Sequence, residues 1–256
     1  MDLAIRTAGL TRSFDGALAV DKVDLEVERG CFYGFLGPNG AGKSTTIKML
    51  TGLLAPTSGR ISVLGQDPLS PDQSLVMKSR IGVVPEDLAL FDNLTAREYL
   101  TFVGRMHSVP KATLRKRISE LLPLMSLEKD ERKLTVEYSH GMKKKLALAA
   151  ALLPDPDLLF LDEPFEGVDA VASRTIRKIL ATFVERGSTI FLTSHVLEVV
   201  ERLCTHVGII VAGKLVEQTS LSELGSGGSL EERFLEVVGS KDQADAQLSW
   251  LEEGSE

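Results

Sequence analysis

The sequence predicts an α/β protein with a largely parallel sheet and a helical insertion. Two observations carry this prediction: apolar, strand-like runs recur along the chain, and helical patterns separate several of them. Residues 3–10 and 18–28 alternate polar and apolar side chains, as half-buried strands do. The later strand-like runs lie at residues 60–64, 80–84, 157–161, 188–192 and 206–211.

The chain changes character between about residue 86 and residue 153. Residues 95–107, 111–125 and 139–153 carry helical patterns, and no strand-like run lies between them. We therefore predict a helical lobe inserted into the α/β core.

The composition narrows the class of protein. Of the 256 residues, 43% are hydrophobic and 25% are charged, which is ordinary for a globular protein. The net charge of −7 argues against a nucleic-acid partner bound through a broad basic surface. No apolar run approaches the roughly 20 residues of a membrane span, and no secretory leader is expected at the start. We expect Cys31 and Cys204 to be buried thiols, which suits a reducing compartment.

The segment between the strand-like run 31–36 and the helical run 45–54 fits the phosphate-loop pattern G-x-x-x-x-G-K-[ST]. In such a loop, backbone N–H groups surround phosphate oxygens, the lysine adds a positive charge and the serine hydroxyl can bind Mg²⁺. The following helix supports this interpretation, because its N-terminal dipole favours phosphate. We predict that nucleotide is bound by Gly37, Pro38, Asn39, Gly40, Ala41, Gly42, Lys43, Ser44 and Thr45.

Three further polar residues follow strand-like runs. Asp162 and Glu163 end one such run, and His195 ends another. Because parallel strands end at one edge of a sheet, Asp162 can reach the phosphate loop and hold Mg²⁺ together with Ser44. Glu163 can polarise the attacking water, and His195 can stabilise charge on a phosphate. The predicted catalytic residues are Glu163, His195 and the loop residue Lys43.

The phosphate loop, the helical lobe, Asp162-Glu163 and His195, in that order, resemble the ATP-binding-cassette (ABC) ATPase family. The resemblance covers about residues 2–220. It implies a P-loop NTPase core with a mostly parallel sheet, an antiparallel N-terminal β-subdomain and an inserted α-helical subdomain.

The resemblance also implies ligands and roles. It implies that ATP binds together with Mg²⁺, that Phe14 stacks on the adenine, and that Asp169 communicates across a dimer. It implies a head-to-tail dimer, either with a second copy or with a paralogous subunit. In that dimer each ATP lies between the Lys43 loop of one subunit and the Ser139 segment of the other.

Two departures from the family pattern stand out. The family signature Leu-Ser-Gly-Gly-Gln is replaced here by Tyr138, Ser139, His140, Gly141 and Met142. Ser139 and Gly141 keep the family residues, and Ser139 also suits the N-cap of the following helix. Lysines at 143–145 oppose the dipole of that helix, so we expect a nearby anion or a solvated face. The second departure is Glu86, where the family usually has a glutamine that contacts Mg²⁺, and we expect Glu86 to bind Mg²⁺ as a charged oxygen donor.

The C-terminal end is predicted to differ from the rest of the chain. Residues 225–229 read Gly-Ser-Gly-Gly-Ser, which predicts a flexible break. A short amphipathic helix is predicted at 230–238, and the acidic segment 240–256 is expected to fray. We therefore divide the chain into an ABC ATPase domain, residues 1–224, and a short flexible extension, residues 225–256.

The function implied is that of an ATP-hydrolysing subunit that powers a membrane transporter. The transmembrane permease would be a separate chain, and this subunit would sit peripherally on the cytoplasmic face of the cell membrane. The altered signature and the C-terminal helix look most like bacterial exporter-type systems. Alternatives are a soluble ABC-family ATPase of translation or DNA repair, a phosphate-loop kinase, and a non-enzymatic nucleotide-binding scaffold.

Overall fold

The computed structural model of the chain describes residues 2–224 and 229–239. Most of the predicted break at 225–229 and the whole predicted tail 240–256 lie outside the described residues. Within the described ranges, no helix combines the length and the apolar character that crossing a membrane requires.

The N-terminal segment forms an antiparallel sheet. Its strands are β1 (Leu3–Phe14), β2 (Ala17–Val23), β3 (Glu26–Glu28) and β5 (Ser58–Val63). The single strand-like run predicted at 18–28 is in fact two strands, β2 and β3, which both pair with β1. The side chain of Thr7 separates them, because its hydroxyl donates to Val23 O at 2.7 Å and accepts from Leu25 N at 2.9 Å.

A second, six-stranded sheet forms the centre of the molecule. Its spatial order is β10 (Lys214–Ser220), β9 (His206–Val211), β4 (Phe32–Leu36), β8 (Thr189–Ser194), β7 (Leu158–Asp162) and β6 (Ile81–Val84). From β9 to β6 all neighbours are parallel, and β10 pairs antiparallel with β9 at one edge. The predicted fold class, a mostly parallel sheet with an antiparallel N-terminal part, is therefore confirmed.

Helices cover the sheet. They are α1 (Lys43–Leu50), α2 (Pro71–Arg80), α3 (Ala96–Met106), α4 (Lys111–Leu124), α5 (His140–Leu152), α6 (Ala170–Glu185), α7 (Leu197–Leu203), α8 (Leu221–Leu224) and α9 (Leu230–Val238). Helices α3, α4 and α5 lie between β6 and β7 in the chain and match the three predicted helices of the insertion. Helix α1 ends earlier than the predicted residue 54, because Gly52 adopts a left-handed φ of 72° after the C-cap.

The central strands are buried on both faces. All residues of β4, β7 and β8 are buried, and their aromatic rings pack together, with Tyr33 stacked on Phe191 at 5.5 Å between centroids. Cys31 and Cys204 are both buried and free, as predicted, and burial raises the pKa of Cys31 to about 12. Because these strands are parallel, the residues at their carboxyl ends meet at one edge of the sheet.

Candidate active site

The phosphate loop joins the end of β4 to the start of α1 and turns sharply at Gly42. The φ of Gly42 is 107°, and a Cβ built at this residue would lie 2.4 Å from the carbonyl oxygen of Ala19. Only glycine fits this position, since any side chain would meet backbone and a strained φ at once. The N-terminus of α1, with its free N–H groups, therefore opens into the space beyond the sheet edge.

Lys43 lies under the loop rather than out in solvent. Its side chain is buried, and Nζ donates to Gly37 O at 2.8 Å and to Pro38 O at 3.1 Å. The loop residue Ala41 is also buried, at 3% exposure, so the loop packs on the core beneath it. The lysine ammonium is thereby held against the backbone of the loop, where it adds positive charge beside the N-terminus of α1.

Asp162 and Glu163 are fixed by the neighbouring strand β8. Asp162 pairs in register with Thr193, whose hydroxyl donates to Asp162 Oδ1 and accepts from Glu163 N at 3.2 Å. Both acidic residues are buried, at 3% and 8% exposure. Thr193 was not among the predicted site residues, although its place two residues before His195, at the end of a predicted strand, could have indicated it.

Glu163 and His195 form a pair across the two strand ends. Glu163 Oε1 lies 3.0 Å from His195 Nδ1, and Glu163 has a φ of 46°, in the left-handed region. A non-glycine residue seldom adopts this backbone conformation, which is common at functional sites. Burial raises the pKa of Glu163 above its ordinary value, and the hydrogen bond with His195 opposes that shift. A buried carboxylate with a raised pKa, held by a histidine, can act as a general base.

These side chains surround one cavity of about 240 Å³. Glu86 joins them, because its Oε2 accepts a hydrogen bond from Ser44 Oγ at 3.1 Å. The predicted residues in the lining are Asn39, Gly40, Gly42, Lys43, Ser44, Thr45, Glu86, Asp162, Glu163 and His195. The lining also includes Ala19 and Glu166, which sequence reasoning missed.

Other predicted site residues lie outside this lining. Phe14 is 43% exposed at the end of β1, with the guanidinium of Arg12 4.5 Å from its ring centroid. Ser139 caps α5 by accepting from Met142 N at 3.3 Å, and His140 beside it is exposed. Asp169 caps α6: Oδ1 accepts from Ala172 N at 2.9 Å, and this hydrogen bond lowers the pKa of Asp169.

A comparison with known families identifies the family to which the fold belongs. Residues 20–166, which contain the phosphate loop, the helical insertion and Asp162-Glu163, match the family described as ABC transporter. The chain belongs to the ABC transporter family. It is an ATP-binding, ATP-hydrolysing subunit of such a transporter.

Individual members of the ABC transporter family are similar over most of the chain. The bacitracin transport ATP-binding protein BcrA of Bacillus licheniformis is 40% identical over 225 residues, or 88% of this chain and 72% of the relative. The daunorubicin/doxorubicin resistance ATP-binding protein DrrA of Streptomyces peucetius is 37% identical over 249 residues, or 96% and 74%. A solved ATP-binding subunit of an ABC transporter superposes with a TM-score of 0.86 at 29% identity, covering 91% of this chain and 99% of that one.

Gly141, in the predicted signature segment, packs on the loop that follows Glu163. A Cβ built at Gly141 would lie 2.5 Å from the carbonyl oxygen of Gly167, so only glycine allows this contact. A side chain at Gly141 would therefore disturb its own subunit, whereas Ser139 is exposed and can be changed without such a clash.

The three lysines at 143–145 were expected to face solvent or a nearby anion, and the structure fits the second expectation better. Lys143 lies 3.5 Å from Asp92, but Lys144 and Lys145 are buried, at 1% and 9% exposure. Lys144 Nζ donates to the backbone oxygen of Asp162 at 3.3 Å. The anions near these lysines therefore include acidic residues of the same chain, which the linear sequence did not reveal.

Proposed function

We propose that the cavity at the phosphate loop is the ATP site, and that ATP hydrolysis there powers transport through a separate transmembrane chain. The observation that carries this proposal is the convergence of Lys43, Ser44, Asp162, Glu163 and His195 on one cavity. A nucleotide-binding scaffold would need the loop but no buried carboxylate with a raised pKa. A phosphate-loop kinase would not need a histidine paired with that carboxylate.

The phosphate loop and Phe14 bind the two ends of ATP. The backbone N–H groups of the loop 37–45, which Pro38 lacks, and the charge of Lys43 hold the phosphates, since together they form an anion-binding helix N-terminus. Phe14 offers one ring face to the adenine while Arg12 covers the other, and stacking of a ring on a base contributes about 1–3 kcal/mol.

Hydrolysis needs a water polarised in line with the leaving phosphate. Glu163 is placed to accept its proton, because the carboxylate is held by His195 and its backbone is held by Thr193. His195, which is half-exposed, lines the cavity from the adjacent strand end and can donate to an oxygen that gains charge.

The donor set also fits Mg²⁺. Among the described residues, no group of three or more acidic, histidine or cysteine side chains could hold a metal ion by itself. Mg²⁺ typically binds one or two carboxylates together with substrate phosphates and water, so this arrangement suits it. We propose that Ser44, Asp162 and Glu86 hold the ion, which when bound would neutralise phosphate charge.

Glu86→Gln should weaken the dependence of ATP binding on Mg²⁺. Wild type places a carboxylate beside Ser44, which attracts the ion and repels phosphate when the ion is absent. The amide keeps the shape and the hydrogen bond from Ser44 but removes the charge. ATP affinity, measured by calorimetry in Mg²⁺ and in EDTA, should therefore differ less between the two buffers in the variant than in wild type.

Asp87→Asn is the matched control, because it removes the same charge from the next exposed residue, which does not line the cavity. It should leave the ratio of the two affinities at the wild-type value. An unchanged ratio in Glu86→Gln as well would remove Glu86 from the proposed metal site.

We propose that two subunits, either two copies or two paralogues, bind two ATP molecules between them. The exposed Ser139 and His140, together with Gly141 and Met142, would contact the γ-phosphate bound by the partner. Ser139 supports this role, because it is exposed at the N-cap of α5, where the positive end of that helix favours an anion. Asp169 would communicate between the sites from the N-cap of α6.

A second cleft is suited to a membrane partner. It has a volume of about 370 Å³, is lined mainly by apolar side chains, and lies between β6 and the helices α3 and α5. Phe91, beside the cleft, is 49% exposed and packs edge-on against Phe102 at 5.2 Å. Pro85, next to Glu86, lines the same cleft, so a permease element docked here would lie close to the proposed metal ligand.

A photo-cross-linking residue in place of Phe91 should label a membrane-embedded polypeptide in native vesicles. Val216 is the matched control, because it is 48% exposed on β10, at the opposite edge of the sheet from β6. The Val216 probe should not label the same polypeptide. Labelling of soluble or ribosomal proteins alone from Phe91 would favour the translation or repair type of ABC ATPase.

The names of the relatives suggest the type of transport system. Proteins named for bacitracin transport and for daunorubicin/doxorubicin resistance are 40% and 37% identical to this chain. We propose that this subunit serves a bacterial exporter-type system at the cytoplasmic face of the membrane. Residues 1–224 would form the ATPase domain, with 86–153 as its helical subdomain, and 225–256 a short extension.

A further inference from the structure

Lys144 is a buried cation at the back of the proposed ATP site. It lies in the second turn of α5, is 1% exposed and donates from Nζ to the backbone oxygen of Asp162 at 3.3 Å. Its charge interacts with the carboxylates of Glu166, Asp162, Glu86 and Glu163. A lysine is rarely buried to this degree unless acidic groups compensate it, and here all four belong to the lining of one cavity.

The same four carboxylates pose an electrostatic difficulty for a site that must accept polyphosphate. Like charges that line one cavity repel, and the buried position of Asp162 and Glu163 weakens solvent screening. Lys43 and the N-terminus of α1 oppose this charge from the loop side. Lys144 opposes it from α5, where its Nζ contacts the backbone oxygen of Asp162 at the end of β7.

Burial is the main influence on Lys144 itself. It lowers the pKa of the ammonium below its ordinary value, and the four carboxylates oppose that shift. The neighbouring Lys145 is also buried, but its charge acts on Asp169, which lies at the start of α6 and outside the cavity lining. The two adjacent lysines therefore serve different acidic groups.

We propose that Lys144 is a positioning residue of the ATP site, whose ammonium offsets the charge of the cavity carboxylates so that polyphosphate can enter. This inference rests on the proposed assignment of the cavity as the ATP–Mg²⁺ site. Lys144 does not line the cavity, so it does not contact the reacting atoms. It acts through Asp162, whose backbone oxygen it binds, and through the net charge of the cavity.

Lys144→Met should weaken ATP binding mainly when Mg²⁺ is absent. Methionine fills a similar volume without charge, so the carboxylates then repel phosphate unless the metal ion neutralises them. We expect ATP affinity of the full chain, measured by calorimetry, to fall about tenfold or more in EDTA and much less in Mg²⁺. The ratio of the affinity in Mg²⁺ to the affinity in EDTA should therefore rise, whereas Glu86→Gln should lower this ratio.

Three comparisons separate this role from simple packing. Lys144→Arg keeps the charge and should restore the wild-type ratio. Lys145→Met makes the same chemical change at the next buried lysine and should leave the ratio unchanged. Lys144→Met combined with Glu166→Gln removes one positive and one negative charge, and should bring the ratio back toward wild type.

The outcomes distinguish the proposal from its premise. A folded Lys144→Met protein with the wild-type ratio would overturn the proposal. If Lys144→Met fails to fold, the double variant decides: a folded double variant with a near-wild-type ratio supports the charge role. Failure of both to fold, while Lys145→Met folds, would mean that Lys144 acts through packing and the proposal is wrong. Wild-type protein that binds no ATP in either buffer would contradict the site assignment instead.

Discussion

Glu163→Gln should abolish steady-state ATP hydrolysis while leaving ATP binding intact. Glutamine keeps the shape of the side chain but cannot accept the proton of the attacking water, and loss of a general base lowers turnover by about 10²- to 10⁴-fold. ATP trapped without hydrolysis should hold two subunits together. Size-exclusion chromatography with ATP and Mg²⁺ should therefore show a dimer in the variant at concentrations where wild type dissociates.

Glu166→Gln controls for the loss of one negative charge in the same cavity. Glu166 is more exposed than Glu163, and it does not share the contacts that Glu163 makes with Thr193 and His195. It should lose much less activity. A Glu163→Gln protein that hydrolyses ATP at the wild-type rate would show that another group is the base. In wild type, activity should fall as pH decreases through the raised pKa of Glu163, because protonation removes the base.

Lys43→Ala should weaken ATP binding itself. The ammonium now bonded to Gly37 O and Pro38 O supplies charge-assisted hydrogen bonds to phosphate, and each such bond contributes about 1.5–3 kcal/mol. ATP affinity measured by calorimetry should fall by about one to two orders of magnitude. Lys48→Ala, which removes a lysine from the last turn of the same helix, should bind ATP like wild type. Equal losses in both variants would point to damage to α1 rather than to a lost phosphate contact.

The sequence located the centre of the site because its chemistry is encoded locally. The phosphate loop is a continuous motif, and Asp162, Glu163 and His195 each follow a strand that can be recognised by its apolar residues. The edge strand β10 was not predicted. Its residues alternate between exposed and partly buried, so it has no apolar run, and it follows a tight turn at Ala212-Gly213 with positive φ values of 48° and 81°.

The parts that were missed depend on tertiary contacts. Thr193 matters because strand register places it beside Asp162, and register is not visible in one strand alone. Lys144 stands in a run of three lysines, and no local pattern tells which of them faces the core. Helix α5 is buried on nearly all sides, so the usual separation of polar and apolar faces does not apply to it.

We propose that each ATP site is shared between two subunits. The claim can be tested with Lys43→Ala and Ser139→Asp. Aspartate still caps α5 but directs a negative charge toward the partner's ATP, whereas the control Ser139→Asn caps the helix without charge. Each of the two variants should be inactive alone, and Ser139→Asn should retain activity.

The decisive measurement is the ATPase rate of mixed Lys43→Ala and Ser139→Asp subunits. A heterodimer has one site with an intact Lys43 loop and an intact Ser139 segment, so activity should reappear on mixing and scale with the heterodimer fraction. A mixture that stays inactive, although heterodimers are demonstrated by differential tagging, would contradict the shared site.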